Sequence, residues 1–211
     1  MSHERVLFAR GEVVVGLDEV GRGSLAGPLV VGAVALCADV DPPEGLDDSK
    51  ALSARQREAL APQLEQWVDA WSLGWVSAEE IDAWGLSLSL SVAASRAIGA
   101  LAREPSFALV DGAYNFLRPP RDIALGSDVP PTPFAGLACE TIVRGDSQSA
   151  AIAAASVIAK VRRDRYMREL HAECPSFGWD ANKGYGSSAH LAALREHGPS
   201  IHHRRTWKLP N

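Results

Sequence analysis

Val13-Val14-Val15-Gly16-Leu17-Asp18 is a short, β-branched, apolar run, followed at once by Glu19 and the glycines of Val20-Gly21-Arg22-Gly23-Ser24-Leu25-Ala26-Gly27-Pro28. Such a run reads as a strand buried on both faces, and the glycines mark its end. The two carboxylates therefore sit at the edge of a core. Adjacent residues on an extended strand point to opposite sides, so one acid faces a central site and the other reaches it only where the strand twists. Hard divalent cations take oxygen ligands of this type, together with water and substrate phosphate. A solvated loop with incidental acids is the plainer alternative for an isolated Asp-Glu pair.

The loop invites comparison with a dinucleotide-binding turn, because Gly21-x-Gly23 follows a strand. Its third glycine is misplaced: Gly27 lies four residues after Gly23, and Pro28 leads into another apolar strand instead of a helix. Two acids would also face the pyrophosphate. Two glycines around one arginine instead offer close-approach amides and a guanidinium fork, suited to a phosphate or a sugar hydroxyl.

At 211 residues and 46% hydrophobic, the chain suffices for one globular domain with a substantial core and a small C-terminal extension. Met1-Ser2-His3-Glu4-Arg5 has no apolar signal core, and no apolar run approaches the roughly 18 residues of a membrane span. A soluble, cytoplasmic protein without membrane contact is expected. Cys37, Cys139 and Cys174 are scattered, with no Cys-x-x-Cys pair, and read as buried thiols. The net charge of −5 is unevenly spread: residues 1–155 hold 11 Lys/Arg against 21 Asp/Glu, and residues 156–211 hold 10 against 5. An acidic, metal-binding body with a basic C-terminal surface for a polyanion fits that asymmetry, as does a merely solvated helix and tail.

Further strands are expected at Leu29 to Leu36, Ala70 to Val76, Phe107 to Gly112 and Glu140 to Arg144, with a short one near Ile123 to Leu125 inside a proline-rich loop. Helices are expected from Ser53, as N-cap, to Trp67, and from about Leu86 to Arg103. Ser77-x-x-Glu80 forms a capping box. From Ser149 a run of alanines and small apolar residues continues as a helix to about His171, able to pack very close to a sheet. A last helix begins near Ser188 and stops at Gly198-Pro199, before the basic tail Ile201 to Lys208. The pattern describes an α/β sheet flanked by helices.

Strand ends thus supply Asp18, Glu19, Asp111 and Asp146, each close to glycine or serine. If they converge, they cannot all stay ionised without cations, and two divalent ions would neutralise them. Two metals about 4 Å apart are a known solution for phosphodiester hydrolysis. A nuclease or another phosphoryl-transfer enzyme is the chemical reading.

Gly16-Leu17-Asp18-Glu19-Val20-Gly21-Arg22-Gly23, Asp48-Ser49-Lys50, Asp111-Gly112, Gly145-Asp146-Ser147, Ala153 to Lys160 and Lys183-Gly184-Tyr185-Gly186 together resemble bacterial ribonuclease HII, the type 2 ribonuclease H, over nearly the whole chain. The resemblance implies a ribonuclease H-like mixed sheet flanked by helices, in a single domain over 1–211 whose basic helical part, about 170–211, contributes to substrate binding. It implies hydrolysis of RNA in RNA/DNA hybrids and at single ribonucleotides embedded in duplex DNA. The cut falls 5′ to the ribonucleotide and leaves 3′-hydroxyl and 5′-phosphate ends, with two Mn²⁺ or Mg²⁺ ions. Asp18, Glu19, Asp111 and Asp146 match the catalytic, metal-binding acids. Gly21, Arg22 and Gly23 match the loop that reads the 2′-hydroxyl, the group separating RNA from DNA. Tyr185 matches a tyrosine that stacks on the deoxyribose after the junction, and Ser49 and Lys50 match a phosphate-contacting motif.

Asp164, among arginines in mid-helix, reads as an ion-pair partner and not as the fourth acid. Lys160, Arg162, Arg163 and Arg165 either contact the nucleic-acid backbone or solvate their helix. Trp67, Trp71, Trp75 and Trp84 read as core and rim packing. The chain departs from the family pattern at Ala51, where a second lysine is usual, and at Ile81 to Leu86, where Trp84 touches packing. Nothing in the tail resembles a clamp-binding peptide; no obligate protein partner is evident, and a monomer is expected. Two competing readings are a different metal nuclease on the same fold, which would cut all-DNA substrates, and a non-catalytic nucleic-acid-binding module.

Overall fold

The computed structural model describes residues 2–46, 52–119 and 130–210. Its apolar runs form a five-stranded sheet: β1 (Val14–Val20), β2 (Leu29–Leu36), β3 (Ala70–Val76), β4 (Phe107–Asp111) and β5 (Ala138–Ile142), in the order β3-β2-β1-β4-β5. β2 runs antiparallel to both β1 and β3, whereas β4 and β5 extend the sheet in parallel from β1. The helices are α1 (Ser2–Phe8), α2 (Ala54–Trp67), α3 (Ala78–Trp84), α4 (Leu86–Gly99), α5 (Ala150–Glu173), α6 (Trp179–Asn182) and α7 (Ser188–His197).

Small residues set the spacing of the layers. A Cβ at Gly16 would lie 2.3 Å from the Ala151 carbonyl carbon, and one at Gly32 would lie 2.6 Å from the Ala155 oxygen, so α5 rests against bare sheet backbone. On the opposite face, a Cβ at Gly74 would lie 1.8 Å from the Ala93 oxygen of α4. Val15, Leu17, Val31 and Val110 pack with α4, while Val34 and Leu36 pack with α2 and α5. A separate apolar cluster joins Ala26, Met167 and Leu170 to Phe177, Trp179 and Leu194, and thereby docks the C-terminal helices onto the end of α5.

The expected Ser53 cap and Ser77 capping box form, each serine accepting from the third backbone amide of its helix; Gln56 makes a second capping box with Ser53, and Ser149 caps α5. Several boundaries move. β5 lies two residues earlier than its sequence suggests, because its pairing with β4 sets Phe107 against Ala138 and Asp111 against Ile142, and Arg144 then turns into the left-handed region at φ 56°. The helix expected to reach Arg103 stops at Gly99, a poor helix former. The short α1 has no clear sequence signal; its Glu4 is buried and accepts from the Ser149 hydroxyl at 2.6 Å and the Ala151 amide at 3.2 Å. The strand expected near Ile123 to Leu125 lies outside the described residues.

Cys37, Cys139 and Cys174 are free and half-buried, not buried as expected, since each sits at the margin of a packed layer. The four tryptophans of the rim are half-buried; Trp71 lies under the Arg162 guanidinium and Trp84 under that of Arg96. Among the described residues, no helix is long and apolar enough to cross a membrane.

Candidate active site

The parallel register pairs Leu17 with Val110, which sets Asp18, two residues before the end of β1, beside Asp111 at the end of β4. Asp18 shares the α5 face with Gly16, and Asp111 shares it with Leu109, which packs against Ile152 of α5. Asp18 is buried, and one of its oxygens accepts from the Glu19 amide at 2.8 Å. Asp111 accepts from the Gly145 amide at 2.7 Å, which ties the end of β4 to the turn carrying the buried Asp146. A Cβ at Gly145 would meet the Ile152 Cδ1 at 2.6 Å, so a side chain there would have to displace that methyl.

Glu19 is paired with Arg22, Nη1 to Oε1, at 3.3 Å. Burial pushes its carboxyl up from the ordinary value; the Arg22 hydrogen bond and charge oppose that rise, and the charge of Asp111 adds to it. Among the described residues, no three acidic, histidine or cysteine side chains converge on one point as they stand. The donor chemistry nonetheless fits a divalent cation, because hard carboxylate oxygens stand on neighbouring strands and burial raises the Glu19 carboxyl, a rise that a nearby cation would offset.

A cleft of about 200 Å³ opens beside these acids, lined by Asp18, Glu19, Gly21, Arg22, Gly23 and Tyr185, and by Arg57, Ser156 and Lys160. The structure therefore brings Asp18 and Glu19, the glycine-arginine loop and Tyr185 to one opening. Asp111 and Asp146 do not line it. Ser49, Lys50 and Ala51 lie outside the described residues. Arg57 of α2 enters the cleft with no motif to announce it, whereas Ser156 of α5 lies in the Ala153 to Lys160 motif, which gave it no role of its own.

The glycine-arginine loop is held from below by two fully buried arginines. Arg163 donates to the Pro28 and Lys183 carbonyls and to the Ser24 hydroxyl, at 2.8, 3.0 and 2.8 Å. Arg204 donates to the carbonyls of Arg22 at 2.8 Å and Gly21 at 2.6 Å, and to Ser24 Oγ at 3.0 Å. Ser24 donates in turn to the Gly21 carbonyl at 2.8 Å. Burial and the adjacent Arg163 push Arg204 down to about 9, which leaves it charged at neutral pH.

These contacts correct two expectations. Arg163 neither faces nucleic acid nor solvates its helix, and Arg204 and His203 of the basic tail are buried, while Arg205 and Lys208 remain exposed. Arg162 and Arg165 pair with Glu65 and Glu58 of α2. Asp164 pairs with Lys160 at 2.6 Å, as an ion-pair partner should.

Tyr185 is exposed, with the Arg163 guanidinium 5.6 Å from its ring. Its turn is pinned to the loop by Gly184, whose carbonyl accepts from the Leu25 and Ala26 amides at 2.8 and 3.2 Å. Gly184 has φ 85°, and a Cβ on it would come within 2.3 Å of the Ala26 oxygen.

A mixed sheet in this order, with acids at the ends of β1 and β4 and α5 packed on bare strand backbone, is the architecture of ribonuclease H-like nucleases. The solved ribonuclease H2 from Pyrococcus horikoshii OT3 superposes with a TM-score of 0.67 at 28% identity, covering 92% of this chain and 93% of that one. The RNase HII in the PCNA:RNase HII complex from Archaeoglobus fulgidus superposes with a TM-score of 0.70 at 28% identity, covering 94% and 96%. The Ribonuclease HII family model matches residues 15–209, and the chain belongs to that family. The Ribonuclease HII of Streptomyces avermitilis is 44% identical over 196 residues, 93% of this chain and 77% of the relative. Members are metal-dependent endonucleases of RNA in RNA/DNA hybrids.

Proposed function

We propose that this endonuclease also cuts duplex DNA at single embedded ribonucleotides, on their 5′ side, leaving 3′-hydroxyl and 5′-phosphate ends. The observation that carries the reading is the shared cleft, in which Asp18 and Glu19 lie beside the Gly21-Arg22-Gly23 loop and Tyr185. In a shallow groove of mixed duplex, the 2′-hydroxyl is the feature that marks one ribose among deoxyriboses.

Asp18, Glu19, Asp111 and Asp146 are assigned as the metal-holding acids, for two Mn²⁺ or Mg²⁺ ions. Such ions supply an activated water and neutralise charge on the scissile phosphate and leaving oxygen. The acids' own task is to present anionic oxygen at fixed positions, and the Asp111 bond to Gly145 keeps the two strand-end segments in register for it. The amides and guanidinium of Gly21 to Gly23 orient the ribose, and Tyr185 stacks on the following deoxyribose. Ser49 and Lys50 are assigned phosphate contacts on their motif alone. The domain reading keeps its C-terminal part, about 170–211, in substrate binding, through Tyr185 and through the support it gives the loop.

Cleavage of a labelled DNA duplex containing one ribonucleotide tests the proposal, run beside all-DNA and RNA/DNA hybrid duplexes, with Mn²⁺ or Mg²⁺ and with chelator. Metal-dependent cutting only 5′ to the ribonucleotide is expected, with at least about a hundredfold loss in an Asp18→Asn enzyme. Cutting of all-DNA, or full turnover by that variant, overturns the assignment.

A further inference from the structure

We propose that Arg204 is a positioning residue for ribose selection: from beneath the Gly21-Arg22-Gly23 loop, it fixes the direction of the two peptide groups that face the cleft. The proposal rests on the assignment of ribose reading to this loop. The guanidinium donates to the carbonyls of Gly21 and Arg22 at 2.6 and 2.8 Å. In a trans peptide the N–H points opposite to the C=O. Holding those two carbonyls inward therefore turns the Arg22 and Gly23 amides outward, to the side on which the loop lines the cleft.

Three features argue that this is more than packing. Arg204 has no exposed surface, yet the hydrogen-bond partners that hold it are all neutral: loop carbonyls and the Ser24 hydroxyl. A buried cation without a bonded anion is costly, and an apolar side chain would fill such a space more stably unless the hydrogen bonds themselves were needed. Gly21 has φ 81° and Gly23 is open on its exposed side, so the loop has little conformational preference of its own. Finally, Arg204 and Arg163 meet on the one Ser24 oxygen, and Arg163 also holds the Lys183 carbonyl next to the Tyr185 turn. The same cationic pair thus sets the loop and its distance from Tyr185. Lysine retains the charge but not the planar fork, so it cannot hold both carbonyls in this geometry.

The test is the affinity of wild-type, Arg204→Lys and Ser24→Ala proteins for a fluorescent duplex with one ribonucleotide and for the identical all-DNA duplex, in chelator. Wild type is expected to favour the ribonucleotide duplex by about fivefold or more. In Arg204→Lys the preference should collapse towards one, while the all-DNA dissociation constant stays within about twofold. Ser24→Ala keeps both arginines but removes the hydroxyl that anchors Arg204 and gives the Gly21 carbonyl its second side-chain donor, and it should lose part of the preference; it decides the matter if Arg204→Lys fails to fold by circular dichroism. A folded variant with the wild-type preference, or one weakened equally on both duplexes, overturns the role of Arg204. A wild type with no preference instead overturns the ribose assignment beneath it, so the two failures are told apart.

Discussion

The Nε2 atoms of His190 and His203 lie 3.0 Å apart inside the C-terminal cluster, and their protons run in one direction. The Ser200 amide donates to His203 Nδ1, so the His203 proton sits on Nε2 and points at His190, whose own Nδ1 proton goes to the Tyr185 carbonyl. Both rings are therefore neutral, and burial holds both below the ordinary histidine value, His203 at about 4. In the unfolded chain these rings protonate near 6.5, so the unfolded state binds more protons as the pH falls. Stability is complete above pH 6.5 and declines towards pH 4, by about 2 kcal/mol at pH 5 from His203 alone. Urea denaturation at pH 7 and pH 5 checks this, and a His203→Gln protein should show a flatter profile.

Gly16 and Gly23 separate a structural glycine from a functional one. Gly16→Ala drives a methyl into the backbone of α5 and should cost about 3 kcal/mol or more. Gly23→Ala meets nothing within 4 Å, so its melting temperature should match wild type, while cleavage at a ribonucleotide falls at least about tenfold. Thermal melts beside cleavage assays resolve both.

Burial chiefly, and the charge of Asp111 as a smaller contribution, raise the carboxyl of Glu19, so the metal-free protein holds like charges close together there. Asp111→Asn keeps an oxygen for the Gly145 amide and removes that charge. It should gain about 0.5–1 kcal/mol of stability in chelator while losing catalysis. Titration with Mg²⁺ should raise the melting temperature of wild type more than that of the variant.

Glu4 holds the start of α5 through Ser149 and Ala151, although it comes from a helix at the other end of the sequence. Glu4→Ala leaves these donors buried and should cost about 2 kcal/mol in chemical denaturation.

The sheet and its helices were legible because their signals are local: β-branched runs ending in glycine, serine caps, and a helix of small residues that must lie on bare backbone. The acids were legible as strand ends. The role of the arginines was not, since a cationic run in a helix or tail normally belongs to solvent. One signal was present. Ala159, Arg163, Met167 and Leu170 share one face of α5, so Arg163 occupies a place in an apolar stripe. For Arg204 no such periodicity exists; its burial follows from the bridge between Ala26 and His203, which no local pattern announces. Glu4 was missed for the same reason, its partners lying 145 residues away.

The Arg204 contacts with the loop close a circuit of 182 and 183 residues, among the most non-local in the molecule. Contacts of such sequence separation form only after the intervening chain has been ordered, because loop closure must be met before they give anything back. A partly folded chain will therefore have its acid-bearing strands paired before the Gly21-Arg22-Gly23 loop, proposed to read the ribose, is fixed in shape. On that proposal, discrimination is the last property to arrive and the first to be lost when the C-terminal segment loosens.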